Sequence, residues 1–313
     1  MTTTMPIGTN PVRARSQTRG LLYRGDILPN KLIQTIVVKA AVDGTEALPT
    51  VAVREIGARA KDLYQMGICA MKLFAKELTQ DPTGQVAERD DSICGQALRA
   101  IKDAEPRMGV ITETCICSAT GGACVILDSQ NKVDIAATMD RFRCIAVMQC
   151  RNGADILGPA SMADGAVREV RGAADAAGFG DVALMPHVEF RSALYSTYRK
   201  VAGNGAGIYR HGLQVEIDQG AQFVAAGRLM VDEGADMLLV EPGMFFLDLV
   251  RPMIDAASCP VGIFSVSGEY KMLQSFDEDD RLAIHSEYLR SAFRAGADYV
   301  VTYAADQIAR GLN

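Results

Sequence analysis

Residues 237–248 read MLLVEPGMFFLD. The apolar run Met237-Leu238-Leu239-Val240 stops at Glu241-Pro242-Gly243. Four consecutive apolar residues ended by a Pro-Gly breaker predict a strand buried on both faces. A carboxylate at the end of such a strand sits at the rim of a sheet, where α/β proteins keep their chemistry. Glu241 is therefore either a site residue or an ordinary solvated residue opening a loop, and its surroundings must decide.

Working outward, short apolar runs alternate with longer amphipathic segments. Strands are predicted at 33–38, 68–74, 109–112, 155–157, 182–185, 237–240, 261–266 and 299–302. Helices between them include 52–66, with Val53, Ile56, Ala60 and Leu63 on one face, and 135–150. The triplet Gly-Ala-Asp precedes an apolar run three times, at Gly153-Ala154-Asp155, Gly234-Ala235-Asp236 and Gly296-Ala297-Asp298. Each follows a helix, so the Gly suits a helix C-cap and the Asp starts a strand. Eight strands alternating with helices predict parallel pairing with right-handed crossovers and favour a (β/α)8 TIM barrel over a doubly wound sheet. No Gly-x-Gly-x-x-Gly follows the first strand, which argues against dinucleotide binding.

The 313-residue length suits one such barrel at 31–313, since the fold uses ~250 residues. Apolar residues make up 49% and charged residues 22% of the chain, as in a globular protein with a sizeable core. A net charge of −6, without a block of like charges, argues against nucleic acid or an anionic membrane as partner. No apolar run approaches the ~20 residues that span a bilayer. Residues 1–30 carry Gly, Pro, Arg and Thr without periodicity and read as an extended, polar N-terminal arm that needs a surface to lie on, such as a neighbouring subunit. The arm has no apolar signal region, which together with eight cysteines predicts reduced thiols and a cytoplasmic location.

Five cysteines are scattered as core thiols, and three cluster after the third strand in Glu113-Thr114-Cys115-Ile116-Cys117-Ser118-Ala119-Thr120-Gly121-Gly122-Ala123-Cys124. Three thiols on a Gly-containing loop can converge on one soft metal, and zinc with three protein ligands is the catalytic arrangement. Unrelated core thiols are the other reading of this spacing.

The loop resembles the zinc-binding cysteine loop of the porphobilinogen synthase (5-aminolevulinate dehydratase) family. The resemblance runs from about residue 20 onward through GADILGPASMADGAV (153–167), EFRSALYSTYR (189–199), GADMLLVEP (234–242), SVSGEY (265–270) and RAGADYVVTY (294–303). It implies a (β/α)8 barrel whose arm embraces a neighbour, in a homo-oligomer built from dimers. It also implies that Ser267 and Tyr303 hold a substrate carboxylate, that Arg199 falls in the segment before the active-site lid, that Arg210 and Gln214 belong to the lid at 203–218, and that Phe190 flanks a lysine of the family's site, at the position that here is Glu189.

Two departures stand out. The family forms Schiff bases on two lysines, at positions that here are Glu189 and Glu241. A carboxylate cannot form an imine. Lys200 and Lys271 are the nearest lysines in sequence and offer no evident substitute. Buried neighbouring carboxylates repel unless a cation lies between them. His187 and Glu189 are i and i+2 on one strand end, Glu241 comes from the adjacent strand, and Glu113 precedes the first loop cysteine. One His with two or three carboxylates suits iron, manganese or zinc as a second metal. Acid–base work, amine binding and a structural role are the alternatives. His211 and His285 read as surface or cap residues.

The expected protein is thus a metal-dependent, lyase-like enzyme acting on a small amino- or keto-carboxylate by condensation, dehydration or cyclisation. It uses zinc at Cys115, Cys117 and Cys124, with Glu189, Glu241, His187 and Glu113 as catalytic groups, in a specialised biosynthetic pathway rather than as a genuine porphobilinogen synthase. A catalytically inert paralogue with a regulatory role, or one that binds a metal or a tetrapyrrole precursor, is the alternative.

Overall fold

The computed structural model describes residues 11–21, 28–121, 124–203 and 213–311, the side chain at position 13 apart. Eight strand positions form the centre: β1 Leu32–Lys39, β2 Ala70–Ala75, β3 Gly109–Thr114, β4 Ile156–Pro159, β5 in two pieces (Ala183–Leu184 and His187–Glu189), β6 Leu238–Glu241, β7 Val261–Ser265 and β8 Val300–Thr302. Each is parallel to its neighbour, and β8 returns to β1 through Leu32↔Val300. The break in β5 falls at Met185-Pro186. There Met185 N–H still donates to Leu157 O, and Pro186 O accepts from Leu239 N–H, so the ring closes across the interruption.

Around it lie α1 Ile56–Gln65, α2 Ile93–Ala104, α3 Ile135–Arg151, α4 Ala166–Ala176, α5 Gly220–Asp232, α6 Leu247–Ala257, α7 Glu278–Ala295 and α8 Ala305–Gly311. Sequence periodicity explains these helices. In α2, Ser92 Oγ caps Gly95 N–H at 3.1 Å, and Ile93, Ala97, Leu98 and Ile101 form its buried stripe. No helix among the described residues is long and apolar enough to cross a membrane.

Strand alternation separates two apolar layers. Ile33, Ala70, Phe74, Ile111, Ile156, Ala183, Met185, Met237, Leu239 and Val301 pack inside the barrel. Leu32, Met71, Leu73, Val110, Leu157, Leu184, Val188, Leu238, Val240 and Val300 pack outward against the helices. The parity of a residue on its strand thus decides whether it meets the pocket or the helices.

The Gly-Ala-Asp repeat has a structural meaning beyond starting strands. Gly153, Gly234 and Gly296 all have positive φ, as a helix terminus requires. Each Asp then reaches the preceding strand. Asp155 Oδ2 accepts from Val110 N–H at 2.8 Å, Asp236 from Leu184 at 2.9 Å and Asp298 from Val261 at 3.1 Å. These bonds satisfy backbone donors at the N-terminal end of the barrel, opposite the site.

The predicted extended arm needs correction where it is described. Pro11–Ala14 and Ser16–Leu21 are short helices lying on this chain's own barrel. Leu21 joins the inner apolar cluster, and Arg15 Nη1 pairs with Asp155 Oδ1 at 2.8 Å. Two turns anchored by Val12, Thr18 and Leu21 are too short to show a period in sequence. The rest of the arm, residues 1–10 and 22–27, lies outside the described residues.

Candidate active site

Side chains at the carboxyl ends of β3, β5 and β6, with one from the middle of β2, converge inside the barrel. Glu241 and Glu189 are direct partners in the parallel register of β6 and β5. Both share the inward parity of Leu239 and Met185, and both are buried. His187 Nδ1 lies 2.8 Å from Glu241 Oε1 and 4.0 Å from Glu189 Oε1. One nitrogen of His187 and one oxygen of each glutamate lie within 4.8 Å of one another, a spacing that a metal ion can bridge.

Burial is the dominant force on every charge here. It pushes Glu241 up to about 8, with Lys72 pulling against it. Glu189 is raised well above the carboxylate range by burial and then by Glu241, opposed by a hydrogen bond from Gln214. His187 is held well below the ordinary imidazole range by burial and by Lys72, so it is neutral. A neutral imidazole against a carboxyl group at 2.8 Å shares one proton with it.

Sequence reasoning missed Lys72. It lies on β2 between the inward residues Ala70 and Phe74 and is 0% exposed. Its Nζ donates to Thr112 O at 3.3 Å. Burial lowers it to about 8, while Glu113, Glu241 and Glu189 act in the opposite direction. The signal was present: period 2 places residue 72 on the inner face of an apolar strand, where a lysine needs partners. Lys200 and Lys271 are exposed on helical segments.

Glu113 extends the cluster toward the cysteine loop. Tyr198 donates to its Oε2 at 3.0 Å, and the Cys117 thiol lies 3.9 Å from Oε1. Burial followed by Cys117 raises its carboxyl well above the usual range, against Lys72. Gln149 of α3 holds this segment from behind. Its Oε1 accepts from Thr112 and Thr114 hydroxyls at 2.9 and 2.7 Å, and its Nε2 donates to Glu113 O at 3.0 Å. With residues 112 and 114 fixed outward, Glu113 faces inward and Cys115 follows at the end of the strand. Gln149 was also missed, because its role appears only once α3 is laid on β3.

Cys115, Cys117 and Cys124 have sulfurs within 4.8 Å of one another. Hydrogen bonds from Cys117 and Cys124 lower the Cys115 thiol to about 6, leaving a thiolate with two thiols around it. Three converging soft donors fit zinc, so the donor set suits the metal that the sequence implied.

The predicted substrate residues divide. Arg199 Nη2 donates to Gln214 Oε1 at 3.2 Å, and Gln214 Nε2 donates to Glu189 Oε2 at 2.5 Å, a relay that reaches the site. Tyr303 belongs to the inner apolar cluster, with its ring 5.8 Å from Phe264 and 5.6 Å from Tyr270. Ser267 is engaged within the fold: its Oγ accepts from Tyr198 N–H at 3.0 Å and donates to Leu194 O at 3.1 Å. Phe190 needs correction. Its odd step from Glu189 sends it outward, where it stacks on Phe223 at 3.9 Å and Phe246 at 4.3 Å in the helix-facing layer. His285 is buried in α7 rather than at the surface. Arg210 and His211 lie outside the described residues.

The chain is a closed (β/α)8 barrel that gathers thiols, carboxylates, an imidazole and an amine in its interior toward the carboxyl ends of its strands. The delta-aminolevulinic acid dehydratase family profile matches residues 9–311. The chain is 31% identical to the delta-aminolevulinic acid dehydratase of Halalkalibacterium halodurans, covering 96% of this chain and 95% of that one. It is 32% identical to those of Mycobacterium tuberculosis (94% of each chain) and Escherichia coli (90% of each). Its fold is similar to that of the Toxoplasma gondii delta-aminolevulinic acid dehydratase crystallised with its reaction product porphobilinogen. That likeness has a TM-score of 0.85 at 25% identity and covers 98% of this chain and 92% of that one. The chain belongs to the delta-aminolevulinic acid dehydratase family.

Proposed function

We propose that this family member is a porphobilinogen synthase-like lyase that acts on a small amino- or keto-carboxylate without an imine at positions 189 and 241. The observation that carries this reading is the register pair Glu189↔Glu241 beside His187, turned into the barrel. By resemblance these are the family's two amine positions, and oxygen there leaves acid–base chemistry as the means of catalysis. Glu241 and His187 share a proton that can be passed to or taken from a substrate. Glu189, whose carboxyl burial and Glu241 raise well above the usual range, is placed to donate a proton. Arg199 and Gln214 orient Glu189, and Tyr198 orients Glu113.

Zinc bound by Cys115, Cys117 and Cys124 would supply Lewis-acid polarisation of a substrate oxygen. The distances among His187, Glu189 and Glu241 support a second reading, in which iron, manganese or zinc binds there too. A condensation, dehydration or cyclisation in a specialised biosynthetic pathway fits these groups, rather than porphobilinogen synthesis itself. A cytoplasmic homo-oligomer built from dimers through the N-terminal arm belongs to the same proposal.

The test is turnover of 5-aminolevulinate and a panel of short keto acids, followed by mass spectrometry of products. Glu241→Gln should lower kcat roughly 10²–10⁴-fold, the range for loss of a positioned acid or base. Unchanged turnover in that variant would reject the assignment.

A further inference from the structure

We propose that the Lys72 ammonium is the resident cation of the glutamate site, serving the neutralising role that a second metal would otherwise serve. The inference deepens the functional reading above and rests on its choice of Glu189 and Glu241 as the working pair. Two carboxyl groups paired in register within a buried barrel repel when both ionise, and a cation between them relieves this. Lys72 brings that charge from β2 on the same inward parity, and no described part of its side chain reaches solvent.

Gly158 makes the arrangement possible. A Cβ on Gly158 would lie 3.0 Å from Lys72 Nζ and 3.3 Å from His187 Nε2. The amine and the imidazole therefore converge over a position kept empty by the missing side chain. His187 Nε2 is buried without a hydrogen-bond partner among the described residues. An ammonium facing it favours the tautomer in which Nε2 carries the lone pair and Nδ1–H donates to Glu241. The Nδ1–H donor and, at longer range, the Lys72 charge then both act against the effect of burial on Glu241.

Lys72 itself makes one hydrogen bond, to Thr112 O, so two of its three N–H groups have no acceptor among the described residues. A divalent cation bridging His187, Glu189 and Glu241 would sit in the same buried barrel as this fixed positive charge and be repelled by it. The three residues are thus spaced for a metal yet already supplied with a cation.

Manganese binding followed by electron paramagnetic resonance tests this directly, since Mn²⁺ suits the oxygen–nitrogen site and not the thiolate loop. Wild type should show no bound Mn²⁺ that depends on Glu241. Lys72→Met, similar in length and uncharged, should gain ~1 Mn²⁺ per chain, and Lys72→Met/Glu241→Gln should lose it again. Wild-type binding abolished by Glu241→Gln would overturn the proposal, as would a folded Lys72→Met protein that gains nothing. If Lys72→Met fails to fold, the wild-type and Glu241→Gln titrations still decide. The readout is metal stoichiometry, so absent turnover would count against the functional reading without touching this one.

Discussion

Gly158→Ala perturbs the site's floor in a way the geometry quantifies. The new Cβ would lie 2.6 Å from Thr112 O, 3.0 Å from Lys72 Nζ and 3.3 Å from His187 Nε2. The first contact is with backbone of the adjacent β3, which is fixed by pairing with both β2 and β4 and cannot retreat by the needed distance. The other two atoms belong to side chains already confined by the barrel. Overpacking of this kind costs about 1–3 kcal/mol. At the low end of the sensitivity for large domains, roughly 2 °C per kcal/mol, the expected fall in Tm is about 2–6 °C. Gly172 is the control: it lies in α4, and a Cβ there meets nothing within 4 Å. Gly172→Ala should stabilise by about 0.5–1 kcal/mol through helix propensity. Thermal melts followed by circular dichroism compare both variants with wild type. A Gly158→Ala protein melting at or above wild type would refute the close convergence of Lys72, His187 and Thr112.

Phe190→Ala should cost about 3–5 kcal/mol in urea unfolding, because the ring is stacked between Phe223 and Phe246; a negligible loss would return it to the pocket. Cys124→Ala should lower zinc content measured by mass spectrometry, and an unchanged content would remove the thiol loop as a metal site. Glu269, fully buried with Tyr288 OH and Met244 N–H as donors, is raised from 4.5 to about 8, chiefly by burial. The folded chain therefore binds more protons than the unfolded chain between these values, and stability falls as pH rises through this window. Its own slope is at most about 1.4 kcal/mol per pH unit. Glu269→Gln should flatten that part of the curve, and parallel curves would contradict the raised pKa.

The barrel was legible because its signals are local. Three Gly-Ala-Asp triplets mark helix ends, and apolar runs such as Met237–Val240 need no knowledge of their partners. The inward turn of Glu189 and Glu241 was also readable, since strand parity and a parallel neighbour follow from the same pattern. Phe190 shows where that rule was overridden by resemblance: it is one step from Glu189 and so faces the helices. Lys72 was passed over because a single charge within Ala70–Ala75 does not disturb the reading of a strand. Its partners lie on three other strands, far away in sequence. Gln149 is a helix residue whose three hydrogen bonds to β3 exist only after α3 packs on it. The short helices at Pro11–Ala14 and Ser16–Leu21 depend on the barrel surface beneath them, not on a pattern of their own.

Borohydride treatment in the presence of 5-aminolevulinate, followed by intact-protein and peptide mass spectrometry, bears most directly on a reaction without a covalent tether. With glutamates at 189 and 241, and Lys72 buried as the proposed ammonium, the protein mass should remain unchanged. A reduced adduct on Lys72, Lys200 or Lys271 that depends on the substrate would contradict the account.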